Sequence, residues 1–266
     1  MDKASFIGLL FGIIAVGAGM VLKGVSPLAI INPGALLIIF LGTAASVLIA
    51  FPMSTLKKIP TLLKIIFTED KNHNAAERIT DFTNWAEATR TEGILWLEGQ
   101  LDKMNDPFLR SGMQLAIDGQ SSDFIKEVLT EKIYAMEERH QKGVSIFTQA
   151  GTYAPTLGVL GAVIGLIAAL SDLNDMETLG SAIAAAFVAT LLGIFSGYVL
   201  WHPFANKLRE KSENEVRLKQ IMIEGVLSLT NGESSQIIKD KLSSYLSSEE
   251  LALLRQEDEN AKTAAA

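Results

Sequence analysis

The sequence predicts an all-α integral membrane protein with four transmembrane helices. A helical cytoplasmic domain is inserted between the second and third, and a helical cytoplasmic tail follows the fourth. Three observations carry this. Asp, Glu, Lys and Arg are absent from Gly143 to Ser171 and again from Thr178 to Asn206, and each run exceeds the ~20 apolar residues a helix needs to cross the hydrocarbon core. Two further apolar runs stand before residue 52. The polar segments in between carry helical patterns and show neither strand alternation nor an internal repeat.

Taken in order, the first helix is expected over Ser5 to Leu22, with Gly8-xxx-Gly12, Gly17 and Gly19 giving it small faces and Lys23-Gly24 ending it. The run is too long for a signal peptide, Asp2 spoils a basic leader, and a second apolar run follows at once, so it reads as a retained span. Asn32-Pro33-Gly34 is a turn signal. The second helix is expected over Ala35 to Phe51, stopped by Pro52, with little polarity beyond Thr43 and Ser46. The segments are thus 1–52 for the first two spans, 53–142 for the cytoplasmic domain, 143–203 for the last two spans and 204–266 for the tail.

The inserted domain starts basic, with Lys57, Lys58, Lys64 and Lys71. Ala75 to Thr89 is amphipathic, with Ile79, Phe82, Trp85 and Ala86 on one side. Residues 90–93 break it and 94–98 resume. Asp106-Pro107 is a cap followed by proline at the first helical position. A helix over Phe108 to Ile117, a turn at Asp118-Gly119 and a helix capped by Ser121 or Ser122 follow. The tail starts as a charged helix to Leu229, turns at Asn231-Gly232 and holds two short helices from Ser234 to Leu254; its last stretch, QEDENAKTAAA, reads as disordered. Lys and Arg gather after the second and fourth spans, whereas SDLNDMET between the third and fourth is acidic, so the positive-inside rule puts both termini in the cytoplasm.

The small residues of the last two spans are ordered. Gly151, Pro155, Gly158, Ala162, Gly165 and Ala169 fall alternately four and three apart, on one helical face, and Gly161 with Gly165 makes a small-xxx-small pair. Ala182, Ala186, Ala189, Gly193 and Ser196 form a second stripe, extended by Gly197. In lipid, helices associate through such close backbone approach. Pro155 inside its span frees a carbonyl and kinks the rod. Thr190 is the only polar residue in the middle of the fourth span and shares the face of Gly193 and Gly197. A plain reading has its hydroxyl bonded to its own backbone. Pro203 is expected to close that span.

Much is excluded. With no cysteine there is no disulfide, thiolate metal site or thiol nucleophile. His73, His140 and His202 are far apart in sequence, so no metal and no cofactor is expected. The net charge of −7 argues against nucleic acid. No phosphate loop, nucleophile constellation or paired carboxylate appears, which argues against an enzyme. Ion-moving membrane proteins usually keep an ionisable residue at depth, and none lies within the four spans. A carboxylate for ion transfer must then come from another polypeptide. Faces of small residues with one hydroxyl suit the docking of a foreign helix.

AGTYAPTLGVLGAVIGLIAAL and AAAFVATLLGIFSGYVLWHPFANKL resemble the MotA family of flagellar stator subunits, within the MotA/TolQ/ExbB superfamily, and the resemblance covers nearly the whole chain, including the DGQ turn at Asp118 to Gln120. It implies an ion-driven motor in the bacterial inner membrane. Five subunits would ring a MotB-like dimer whose membrane helix supplies an essential aspartate, with motion passed to the rotor switch protein (FliG-like). At matching positions it implies that Pro155 and Pro203 couple ion loading to conformational change, that Thr190 lines the ion path, and that Arg90 and Glu98 face the rotor. The family often has a second basic residue after Arg90, where this chain has Thr91, so Lys103 is expected to contribute. Sodium-driven relatives carry a threonine where this chain has Ala162. An alanine offers no oxygen to a dehydrating sodium ion, which favours protons. The alternatives are a sodium-driven stator, a TolQ- or ExbB-like energiser of envelope transport, a self-contained transporter, and a structural scaffold. Two helices before the insertion, rather than one, favour the stator.

Overall fold

The computed structural model describes residues 2–69, 75–170, 176–252 and 254. Every regular element among them is helical. Four helices are long and apolar enough to cross a membrane: Lys3–Leu22, Pro33–Ala50, and stretches within Ser122–Leu170 and Leu179–Thr230. The acidic connection at 171–175 and the final residues of the tail lie outside the described residues. The chain divides into two compact units, one of residues 1–69 and 139–210, the other of 70–138 and 211–266.

In the first unit, α1 (Lys3–Leu22) begins two residues before Ser5 because Asp2 caps it, its carboxylate accepting from the Ser5 amide at 3.2 Å. It ends at Lys23 and Gly24, the latter at φ +73°. α2 (Pro33–Ala50) opens on an Asn32 cap with Pro33 at its first position. Its residues Leu37–Leu41 are π-helical. It ends at Phe51, which is extended because it precedes Pro52. The amphipathic α3 (Ile59–Phe67) buries Ile66 against Val144, Phe147, Ala205 and Leu208.

The long α6 (Ser122–Leu170) carries the third span and contains Pro155. α7 comprises Met176–Phe195, a π-helical stretch Ser196–Trp201, and His202–Thr230. The helix therefore continues past Pro203, where the fourth span is expected to close. The π turns just before it widen the backbone, so its missing amide and its ring are taken up without ending the helix. Many large apolar side chains of this unit are exposed, Phe11, Leu41, Ile49, Ile167 and Phe187 among them, as befits helices meant for lipid or other subunits.

The second unit has an aqueous-type core. α4 (Ala75–Glu92) is broken at Gly93, whose φ of +84° is open to glycine, and the chain resumes as a 3₁₀ stretch, Ile94–Lys103, not as α-helix. The Asp106 carboxylate accepts from the amides of Phe108 and Leu109 and starts α5 (Pro107–Ile117). Gly119 turns the chain at φ +73°, and Ser121 Oγ accepts from the Phe124 amide at the start of α6. Gly232 turns it after α7 at φ +66°, and Ser234 caps α8 (Ser235–Ser243). Phe82, Leu97, Met113, Ile125, Ile221 and Ile238 are fully buried together. The Phe82 ring lies on Gly225, where an added Cβ would stand 2.5 Å from it.

Candidate ion-path and coupling site

The spans of α6 and α7 meet through the predicted small residues. A Cβ on Gly158 would stand 2.9 Å from both the Ala189 carbonyl oxygen and the Gly193 Cα. One on Gly193 would meet the Gly158 Cα at 2.8 Å and the Ala154 carbonyl at 2.9 Å. Ala154, Ala189 and Leu192 are buried in the same seam, with Ala35 and Ile39 of α2 covering it. The other small residues differ. A Cβ on Gly161 would make only ordinary contacts at 3.6 Å, and one on Gly165 would meet nothing within 4 Å.

Lower in the same seam, Pro155 sits against Gly197. A Cβ there would lie 2.8 Å from the proline Cγ and 2.8 Å from the Gly151 carbonyl. Gly151 in turn lies under the His202 ring, 2.8 Å from where its Cβ would be. So Pro155, Gly151, Gly197 and His202 interlock, and Pro203, exposed, is the residue after His202. The π stretch Ser196–Trp201 contains Gly197 and ends at that contact. π turns mark functional positions often enough that this one stands out. No sequence pattern announces it. His202 over Gly151, and Val199 over Gly12 of α1, where an added Cβ would stand 2.7 Å from its Cγ1, are likewise contacts that spacing alone does not give.

Thr190 is half-buried, and its hydroxyl donates to the Ala186 carbonyl at 3.2 Å. Ala162 is half-buried on the α6 face that includes Gly158. Thr43 is 4 % exposed in α2, yet its hydroxyl lacks a hydrogen-bond partner, as does the buried indole nitrogen of Trp201. The carbonyl a helical threonine would normally use, that of Ile39, belongs to the π stretch of α2.

Arg90, in the last turn of α4, and Glu98, in the 3₁₀ stretch, are both exposed and form no ion pair among the described residues. Lys103 is also exposed and donates to Gln100 Oε1. Elsewhere in this unit some charges are tied. Glu250 accepts from both Arg217 guanidinium nitrogens at 3.2 Å. Burial pushes the Glu250 carboxyl up, but bonds from Ser247 and Arg217 outweigh this and hold it below the usual range. Burial pushes Asp81 above the carboxylate range despite Arg78 at 2.9 Å. Among the described residues no group of three His, Cys, Asp or Glu is placed to hold a metal ion.

The profile of the MotA/TolQ/ExbB proton channel family matches residues 100–221. Motility protein A of Bacillus subtilis (strain 168) is 56% identical over 246 residues, covering 92% of this chain and 91% of the relative. The chain belongs to this family. Motility protein A of Helicobacter pylori is 32% identical over 92% of the chain and 95% of the relative. Chemotaxis protein PomA of Vibrio alginolyticus is 30% identical over 95% and 98%. The flagellar MotAB stator complex of B. subtilis superposes with a TM-score of 0.89 over 93% of this chain and 97% of that one, at 56% identity. The Campylobacter jejuni MotAB structure superposes at 0.88 over the same shares with 28% identity. Likeness at this level over nearly the whole chain makes the protein a stator subunit of the flagellar motor, and the proton channel is its family's role.

Proposed function

We propose that the chain forms, with a MotB-like partner, a proton path in the bacterial inner membrane and converts proton flow into torque. The observation that carries this is a mismatch. The α6–α7 seam is built for tight packing and bears Thr190 and Ala162 on its flanks, yet the apolar runs of the four spans contain no Asp, Glu, Lys or Arg. A membrane aspartate of the partner's helix supplies the missing carboxylate. The partner's helix docks on the small-residue faces of a ring of such subunits, pentameric by the family pattern. The interlock of Pro155 with Gly197, next to the π stretch and Pro203, then links loading of that aspartate to movement of α7. Both termini and the second unit are cytoplasmic, and Arg90 and Glu98 present charge to the rotor switch protein (FliG-like). Ala162 favours protons over sodium, since it offers no hard oxygen ligand.

The test is swimming speed in a strain without its own stators, complemented with this chain and its cognate partner. Sodium is varied at fixed pH and a protonophore then added. Speed independent of sodium and abolished by the protonophore is expected. Speed that follows sodium would overturn the proton assignment, and no motility despite normal membrane levels would favour an energiser of envelope transport.

A further inference from the structure

Between the start of α1 and the membrane portion of α7 lies a cavity of about 410 Å³. Gly8, Leu9, Ile66, Val199 and Phe204 form apolar walls, and Lys207 closes one end. At Gly8 an added Cβ would stand in open space, with nothing within 4 Å. Lys207 pairs with Asp2, the cap of α1, and its hydrogen bond holds that carboxyl below the usual range. One of the ammonium's three donors is thus used, and the side chain is still 33% exposed. Lys3, in the first turn of α1 beside the lining residue Ala4, and Lys64, two residues before Ile66 in α3, are both exposed. Lys207 thus keeps ammonium donors free at the mouth of the cavity.

An apolar slot between spans with a cationic mouth matches the two halves of an anionic phospholipid. Basic pockets between membrane helices on the cytoplasmic side bind such head groups. We propose that this cavity holds one anionic phospholipid, with its phosphate on Lys207 and an acyl chain along Gly8 and Val199. Pro203 also lines the cavity, so the lipid bears directly on the element that moves. A zwitterionic lipid would bring its own cation to the lysines and is disfavoured.

The test uses the full chain with its cognate partner in phosphatidylcholine vesicles. A photoreactive acyl group is carried either by phosphatidylglycerol or by phosphatidylcholine. The phosphatidylglycerol probe should label residues 4–9 and 198–207, and the phosphatidylcholine probe several-fold less. Lys207→Gln should lower that labelling about five-fold, the effect of one lysine beside an anionic head group. Asp2→Asn breaks the same ion pair but frees Lys207, so labelling should hold or rise. Gly8→Leu should fill the slot and abolish labelling. Equal labelling by both probes overturns the proposal. So does a fall with Asp2→Asn matching that of Lys207→Gln, which would make the pair merely structural. A protein crosslink from a second copy across the slot overturns it too. The inference rests on the membrane placement proposed above, and failure of that placement would look different: neither probe would label either segment. Should Gly8→Leu fail to assemble, the Lys207→Gln and Asp2→Asn pair still decides.

Discussion

Gly158 of α6 and Gly193 of α7 meet backbone to backbone: a Cβ on Gly193 would stand 2.8 Å from the Gly158 Cα. Contacts this short involve main chain on both sides, so no side chain can swing away to relieve an added methyl. Gly158→Ala or Gly193→Ala must push the two spans apart. Overpacking of this kind typically costs about 1–3 kcal/mol. Here it also widens the seam that carries Thr190. Either variant should assemble poorly or fail to support swimming, while Gly165→Ala, with nothing of its own chain within 4 Å, should leave membrane abundance unchanged. Membrane abundance and swimming speed, measured side by side, check this. Normal motility in Gly193→Ala would show that the seam tolerates separation.

How much of this was readable beforehand varies with the range of the physics. The caps and turns at Asp106, Gly119 and Gly232 rest on local chemistry, and their sequences announce them. The α6 and α7 stripes were readable as faces, because 3.6 residues per turn fixes which residues align. The crossing point was not, because it depends on how two helices incline; hence Gly158 is in contact and Gly165 is not. The π stretches have no sequence signature, and the one in α7 carries the helix on past Pro203. The S-x-x-E pattern of Ser247 and Glu250 is readable as a capping box. Its fork to Arg217, 33 residues away, belongs to tertiary packing.

Thr190 bonds to its own backbone at Ala186. Removing that hydroxyl therefore leaves no orphaned partner across the seam, only a carbonyl that its helix already uses. Thr190→Ala should change stability by less than about 1 kcal/mol. A path-lining role nevertheless predicts a clear loss of speed and of proton conductance, restored by Thr190→Ser. Wild-type speed in Thr190→Ala would leave the hydroxyl as helix packing alone.

Arg90 and Glu98 are exposed and unpaired with one another, so their substitution should be thermally silent, within about 0.5 kcal/mol. If they meet charges on the rotor, Arg90→Glu should strongly reduce motility at normal abundance. A reversed charge on the rotor partner should restore part of it. Lys103→Glu should aggravate Arg90→Glu, since it lowers the positive charge of the same unit further. A double variant no worse than Arg90→Glu would remove Lys103 from the rotor face.

Glu250 joins two devices: it closes the capping box with Ser247, accepting from its amide at 2.8 Å, and it holds both guanidinium nitrogens of Arg217. Its carboxyl is more acidic in the folded state than the unperturbed value of 4.5. The unfolded chain therefore binds the proton first, and the stabilisation is fully present above pH 4.5, fading as pH falls through the lower folded value. Asp81 acts in the opposite sense. Burial raises its carboxyl above 3.8, so its folded form holds the proton longer and its contribution declines as pH rises through that window. Because Arg217 and Glu250 are partly exposed, screening limits the pair, and Glu250→Gln should cost about 1 kcal/mol at pH 7. That cost should shrink as pH falls below 4.5, whereas Asp81→Asn, which removes a half-buried carboxylate, should gain stability at pH 7 and lose that gain on acidification. Thermal melts of the detergent-solubilised protein from pH 7 to pH 3 read both. A Glu250→Gln deficit that stayed constant across that range would mean that the ionised carboxylate contributes nothing beyond its shape.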